Sequence, residues 1–236
     1  MKPRIIRPNP DSPRLSLPRI GKIKIGYKND KGYPVSVDYF IPFGKYSKLF
    51  TCAYGDRPQT IQIVFPEDDP DKVCRERYEY RNDAGQLIAY GDGCIFNVWD
   101  GKQYKEFNVE KYPKLMESIS KKYPNRKVNN GEDGWNVTLT LNFIIPLVRG
   151  IAGVWTFETR GNASTIPAIR DTFDAMLEKR GKCMGILFDL NVQFAKTQKP
   201  GDKSKFPVVS LVPNESVENV NLINSAYNKK SLENKK

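Results

Sequence analysis

Along several short segments of this chain, apolar and polar residues alternate strictly, the signature of strands with one buried face. In residues 136–143, Val137, Leu139, Leu141 and Phe143 alternate with Thr138, Thr140 and Asn142. In residues 186–194, Ile186, Phe188, Leu190, Val192 and Phe194 share one side, and residues 206–212 should pair with them across the polar loop 196–205. Near the N-terminus, residues 20–27 set Lys22 and Lys24 opposite Ile23 and Ile25, and Asn29-Asp30-Lys31-Gly32 then reads as a turn. Residues 60–65 predict a strand stopped by Pro66. Residues 74–80 and 86–90 predict a hairpin, and Gly91-Asp92-Gly93 turns into a further strand over 94–99. Residues 153–159 predict a central strand, with Trp155 and Phe157 on its core side and Val154, Thr156 and Glu158 opposite.

Helical spacing is rarer. From Ser164 onward, Ile169, Phe173, Met176 and Leu177 fall on one face. A Ser164 hydroxyl cap and Pro167 in the first turn mark the start, and Lys179-Arg180-Gly181 marks the end. A second helix is expected over 109–122, with Leu115, Met116 and Ile119 inward. The fold class is therefore α+β and rich in antiparallel sheet, with a strand-strand-helix-strand C-terminal half on a ferredoxin-like plan. The expected division is a basic, proline-rich extended arm over 1–19, a β-rich part over 20–134, an α+β part over 135–213, and a short helix with a basic tail over 214–236. The polar loop 129–134 is the expected boundary between the two larger parts.

Charge adds a functional class to this picture. Lys and Arg total 38 against 27 Asp and Glu, a formal net charge of +11. Nine cations against two acids lie within residues 1–31, so most of the excess is N-terminal. A concentrated positive charge attracts polyanions. The candidate nucleic-acid contacts are Arg4, Arg7, Arg14, Arg19, Lys22, Lys24, Lys28 and Lys31, with Tyr27 beside them. Tyr27, Tyr33, Tyr39, Phe40, Phe43 and Tyr46 interleave with lysines, a pattern that suits stacking on unpaired bases and suits a buried core equally.

Catalytic chemistry has no such signal. The chain has no histidine, so neither a Ser-His-Asp nor a Cys-His site can form. It has no Walker loop and no G-x-G-x-x-G. The acidic run Glu67-Asp68-Asp69-Pro70-Asp71 reads as a solvated turn rather than a metal site, and Glu158 stands apart from it. Cys52, Cys74, Cys94 and Cys183 lack short zinc spacings and are expected as free thiols, mostly buried. No cofactor and no metal are expected, and the chain reads as a non-enzyme. No apolar run reaches the roughly 20 residues of a membrane span, and no signal peptide is evident, so the expected location is the cytoplasm, the host's if a phage encodes the chain.

The segment Pro18-Arg19-Ile20-Gly21-Lys22-Ile23-Lys24-Ile25-Gly26 resembles the opening of the recombination directionality factor-like family of phages and integrative elements. The resemblance resumes at Tyr54-Gly55, at Gly91-Asp92-Gly93-Cys94, at residues 139–146 and 153–161, and in the helix from Ser164. Members often carry a cysteine-rich segment after the Gly-Asp-Gly-Cys-like element; here residues 101–134 contain no cysteine. The resemblance implies an accessory protein that binds a DNA-bound site-specific recombinase, a large serine integrase, and sets the direction of recombination. The expected partners are largely non-specific DNA and that recombinase or another phage recombination protein, with no membrane. The alternative is a single-strand nucleic-acid-binding protein of phage replication or recombination.

Overall fold

The computed structural model describes residues 17–125, 134–197 and 204–214. The strands are β1 (Arg19–Lys28), β2 (Pro34–Phe43), β3 (Thr60–Val64), β4 (Cys74–Arg81), β5 (Leu87–Gly91), β6 (Ile95–Trp99), β7 (Tyr104–Asn108), β8 (Trp135–Phe143), β9 (Val154–Thr159), β10 (Leu187–Lys196) and β11 (Lys205–Pro213). The helices are α1 (Ser47–Tyr54), α2 (Pro70–Val73), α3 (Leu115–Lys122) and α4 (Thr165–Arg180). One sheet has eight strands in the order β2-β1-β9-β8-β4-β5-β6-β7, and a second has three in the order β11-β10-β3. Every pairing is antiparallel except β1 with β9. The α+β, antiparallel-rich class expected from the pattern is what forms.

Register shows why alternation dominates the sequence. Phe143, Leu141 and Leu139 face Trp155, Phe157 and Thr159 across β8 and β9, and Trp155 and Phe157 lie beside Gly21 and Ile23 of β1. This apolar face of the large sheet joins Ile61, Ile63, Phe188, Leu190 and Val192 of the small sheet, and Ile166, Ile169 and Phe173 of α4, in one core. Trp155 is buried there and meets Phe50 of α1 at 5.8 Å between ring centres. A Cβ on Gly21 would sit 2.3 Å from the Trp155 ring, so the indole requires glycine on the neighbouring strand. A smaller cluster of Tyr80, Ile88, Ala89 and Ile119 seats α3 on the same side of β4 and β5. Tyr80 there donates from its hydroxyl to the Tyr123 carbonyl at 2.6 Å.

Four expectations change. The helix expected over 109–122 is α3 alone, and β7 precedes it. Pro113 cannot sit in a helix interior, and the Asn108 side chain accepts from the Glu110 N–H at 2.8 Å, closing a turn instead. The Ser164 hydroxyl does not cap α4; the Gly161 carbonyl accepts from the Ile166 N–H, while the buried Thr165 hydroxyl accepts from the Val209 N–H and ties the helix start to β11. Gly181 does end α4, in the left-handed conformation. The acidic run is not a plain solvated turn. Asp69 caps α2, and the Asp68 carboxylate accepts from the Cys183 and Met184 N–H groups at 2.6 Å each. Lastly, β9 and β10, which flank α4, belong to different sheets, whereas a ferredoxin-like half would keep them in one.

Strands from before and after residues 129–134 share the large sheet, where β4 pairs with β8. Residues 126–133, and the expected helix and tail beyond residue 214, lie outside the described residues.

Candidate functional site

Both hydrophobic clusters lie on one side of the eight-stranded sheet. By register, its other side carries Lys22 and Lys24 from β1, Thr156 and Glu158 from β9, Thr138, Thr140 and Asn142 from β8, and Arg75, Arg77 and Glu79 from β4. Tyr90 of β5, Asn97 and Trp99 of β6, and Tyr104 of β7 continue it. Near β9 this side is closed over: Thr156 is fully buried and donates to Asn142, which donates in turn to the Lys72 carbonyl of α2.

Towards β4 and beyond, the same side is cationic and aromatic. Alternate positions of β4 place Arg75, Arg77, Glu79 and, past a bulge, Arg81 together. The buried Glu79 carboxylate is clamped from both sides. Arg77 donates to Oε1 at 2.9 and 2.6 Å, and Arg81 donates to Oε2 at 3.2 and 2.9 Å. Burial pushes the Glu79 carboxyl up, but the two arginines outweigh it and hold it below the usual carboxylate range. The Arg77 guanidinium also sits over the Tyr90 ring at 4.7 Å, a cation–π contact. Tyr90 meets Tyr104 at 5.3 Å and Tyr104 meets Trp99 at 5.3 Å, so three rings form a continuous patch. Tyr104 is exposed, and its hydroxyl donates to the Leu87 carbonyl at 2.7 Å.

Arg75 stands apart from this network. Its side chain is exposed and makes no hydrogen bond and no ion pair among the described residues. Partial burial and the neighbouring Arg77 charge push its guanidinium below the ordinary arginine value, against the pull of Glu79, Tyr90 and Asp71. A recess of about 260 Å³ opens beside it, lined by Arg75, Arg77, Tyr90 and Asn97 and also by the acids Asp71, Glu76 and Asp92. Asp92 is engaged with its own turn, accepting from the Cys94 and Ile95 N–H groups. On the neighbouring strand, opposite Arg77, the buried Thr138 hydroxyl has no hydrogen-bond partner among the described residues.

The N-terminal candidates fall elsewhere. Arg4, Arg7 and Arg14 lie outside the described residues. Arg19, Lys24, Lys28, Lys31 and Tyr27 are exposed on β1 and its following turn. Lys24 reaches over the Phe43 ring at 4.3 Å. Lys22 is engaged with Glu158 at 2.5 Å. Of the interleaved aromatics, Phe40 is core, whereas Tyr27, Tyr33 and Phe43 are exposed. The arginine–aromatic patch on β4–β7 was not among the sequence candidates. Its signal is the spacing Arg75, Arg77, Glu79, Arg81, which puts three cations on one face of a strand.

Other reactive groups are structural. Cys74 and Cys183 are buried, and desolvation pushes each thiol up to about 12, while Cys52 and Cys94 are exposed, so two of the four thiols are buried rather than most. Among the described residues no three His, Cys, Asp or Glu side chains are placed to hold a metal ion. No helix of the described residues is long and apolar enough to cross a membrane.

Comparison with known proteins gives one result that bears on function. Neither a curated protein nor a solved structure gives a significant match. A family model described as recombination directionality factor-like matches residues 20–214 of the 236, well over half of the chain. It spans the sequence from the first residues of β1 to the end of β11, and so includes both sheets and α4. Proteins of this family are, in general, accessory and non-catalytic factors of phage recombination. The chain belongs to the Gp3-like, recombination directionality factor-like family.

Proposed function

We propose that this protein binds a DNA-bound site-specific recombinase of the large serine integrase class and sets the direction in which it recombines. Membership of the directionality factor-like family is the observation that carries this reading. The protein contributes no chemistry to strand exchange. It acts through a difference in binding free energy between two recombinase–DNA assemblies, stabilising one and so shifting which reaction proceeds. Its site of action is the cytoplasm of the host cell.

The exposed cations of β1 and its turn, Arg19, Lys24, Lys28 and Lys31, together with Arg4, Arg7 and Arg14 of the arm, supply non-specific attraction to DNA phosphates. Tyr27, exposed on the same strand, adjoins them. Lys22 contributes only when it leaves Glu158. Affinity for DNA alone is therefore weak and salt-sensitive, and affinity for the recombinase–DNA complex is much higher.

An electrophoretic mobility assay with a large serine integrase from the same element tests this reading. The expected result is a further shift of the integrase–DNA complex at protein concentrations that leave the same DNA unshifted when the integrase is absent. Equal affinity for DNA with and without integrase would contradict it.

A further inference from the structure

We propose that the arginine–aromatic patch of β4–β7 is a binding site for unpaired, single-stranded nucleic acid. The site takes a phosphate at Arg75 and stacks a base on Tyr104. This goes beyond the recombinase-binding role, and neither inference requires the other.

Three observations carry it. First, the cations of this face outnumber the carboxylates that contact them. Among the described residues, Glu79 is the one acid paired with Arg77 and Arg81, and Arg75 has no ion-pair partner. The recess itself is of mixed charge, since Asp71, Glu76 and Asp92 line it together with Arg75 and Arg77, but Asp92 is taken up by its own turn and Glu76 by Arg170, and Glu106 lies exposed on β7. Second, Arg77 is not free to swing. The Glu79 carboxylate and the Tyr90 ring hold its guanidinium in place, so the surface beside Arg75 is preorganised. Third, an exposed tyrosine adjoins this surface. Tyr104 is anchored through its hydroxyl and backed by Trp99 and Tyr90, so its ring is held in place on the open side of the sheet.

The chemistry that uses all three is a strand with both a phosphate and a free base face. A duplex offers phosphates, but its base faces are stacked on one another, leaving nothing for Tyr104 to cover. An acidic peptide would satisfy Arg75 and would leave the rings without a planar partner. A flat sheet presenting aromatic rings between cations is a recurrent platform for single strands, because every base has a π-face and every linkage a charge.

The test is fluorescence anisotropy of the full-length protein with a labelled oligothymidylate of about 20 nucleotides, and with a duplex of equal length, near physiological salt. Arg75→Glu removes no native contact, so a folding defect is not expected; a melting curve confirms this. Lys179→Glu, at an exposed cation of α4 with no partner among the described residues, changes the net charge by the same amount away from the patch. The expected results are tighter binding of the single strand than of the duplex, and a loss of roughly tenfold or more for Arg75→Glu. Tyr104→Ala should weaken the single strand about as much and the duplex little, whereas Lys179→Glu should change neither by more than about twofold. Absence of single-strand binding by the parent, preference for the duplex, or equal losses from Arg75→Glu and Lys179→Glu would overturn the proposal. A parent protein that shifts the integrase–DNA complex but ignores the oligothymidylate overturns this inference alone. If Arg75→Glu abolishes that shift while leaving oligothymidylate binding intact, the patch is a protein-binding site and the proposal fails.

Discussion

The two sides of the eight-stranded sheet are built from the same strands and could hardly differ more. On one side β4 contributes Cys74 and Tyr80 to buried clusters, and β8 and β9 contribute Leu139, Leu141, Phe143, Trp155 and Phe157. On the other, β4 contributes Arg75, Arg77, Glu79 and Arg81, and its neighbours contribute threonine, asparagine and tyrosine. Period-two alternation lets one strand serve a core and a surface at once. Substitutions on the two sides should therefore separate cleanly, with stability lost from one and binding from the other. Glu79 is the informative intermediate, since it is buried on the open side.

The largest expected effect is on the covered side. Trp155→Ala should destabilise the protein by about 3–5 kcal/mol, read from the denaturant midpoint at unchanged slope. A loss below about 1 kcal/mol would mean that the indole is not core. Glu79→Gln comes next, at about 2–3 kcal/mol, moderated because Arg77 and Arg81 can still reach solvent. It also tests the sign of a pH effect. Glu79 is held below its usual range in the folded protein, so its contribution is present above the unfolded carboxylate value, about 4.3, and is lost as pH falls through the folded value. The Gln variant should therefore lose less stability than the parent between neutral and strongly acidic pH. An identical decline in both proteins would show that Glu79 is not clamped.

Gly21→Ala should cost about 1–3 kcal/mol by pushing a methyl group into the Trp155 ring. In a Trp155→Ala background most of that penalty should vanish, because the two residues are in contact. Arg75→Ala, on the open side, should leave the melting temperature almost unmoved, within about 0.5 kcal/mol of the parent. A larger cost would mean that the guanidinium has a structural partner.

Much of the covered side was legible in the sequence, and the open side was not. Residues 136–143 and 186–194 alternate so regularly that strand, face and pairing with residues 206–212 all followed from apolar spacing. Trp155 was readable as core for the same reason. β7 was missed because Tyr104-Lys105-Glu106-Phe107-Asn108 lies at the sheet edge, with its first three residues exposed and no apolar face to advertise. α1 is only eight residues long and buries just Phe50, too little for helical spacing to show. The candidate site was drawn to the N-terminal arm because charge is densest there. The patch on β4–β7 needs long-range register to appear. Tyr104 meets Tyr90, and Tyr90 meets Arg77, only because β7, β6, β5 and β4 pair in that order, and single-strand spacing cannot say which rings lie beside which cations. Arg75, Arg77 and Arg81 were nonetheless visible as an alternating set before any pairing was known.

In the proposed role this chain sets the direction of recombination without taking part in strand exchange. The most direct measurement is an in vitro assay in which a large serine integrase from the same element acts on integration substrates and, separately, on excision substrates, with and without this protein. The protein should raise the yield of excision and lower that of integration, both saturating at a fixed ratio of protein to integrase. No change in either yield, at concentrations that saturate the integrase–DNA complex, would contradict it.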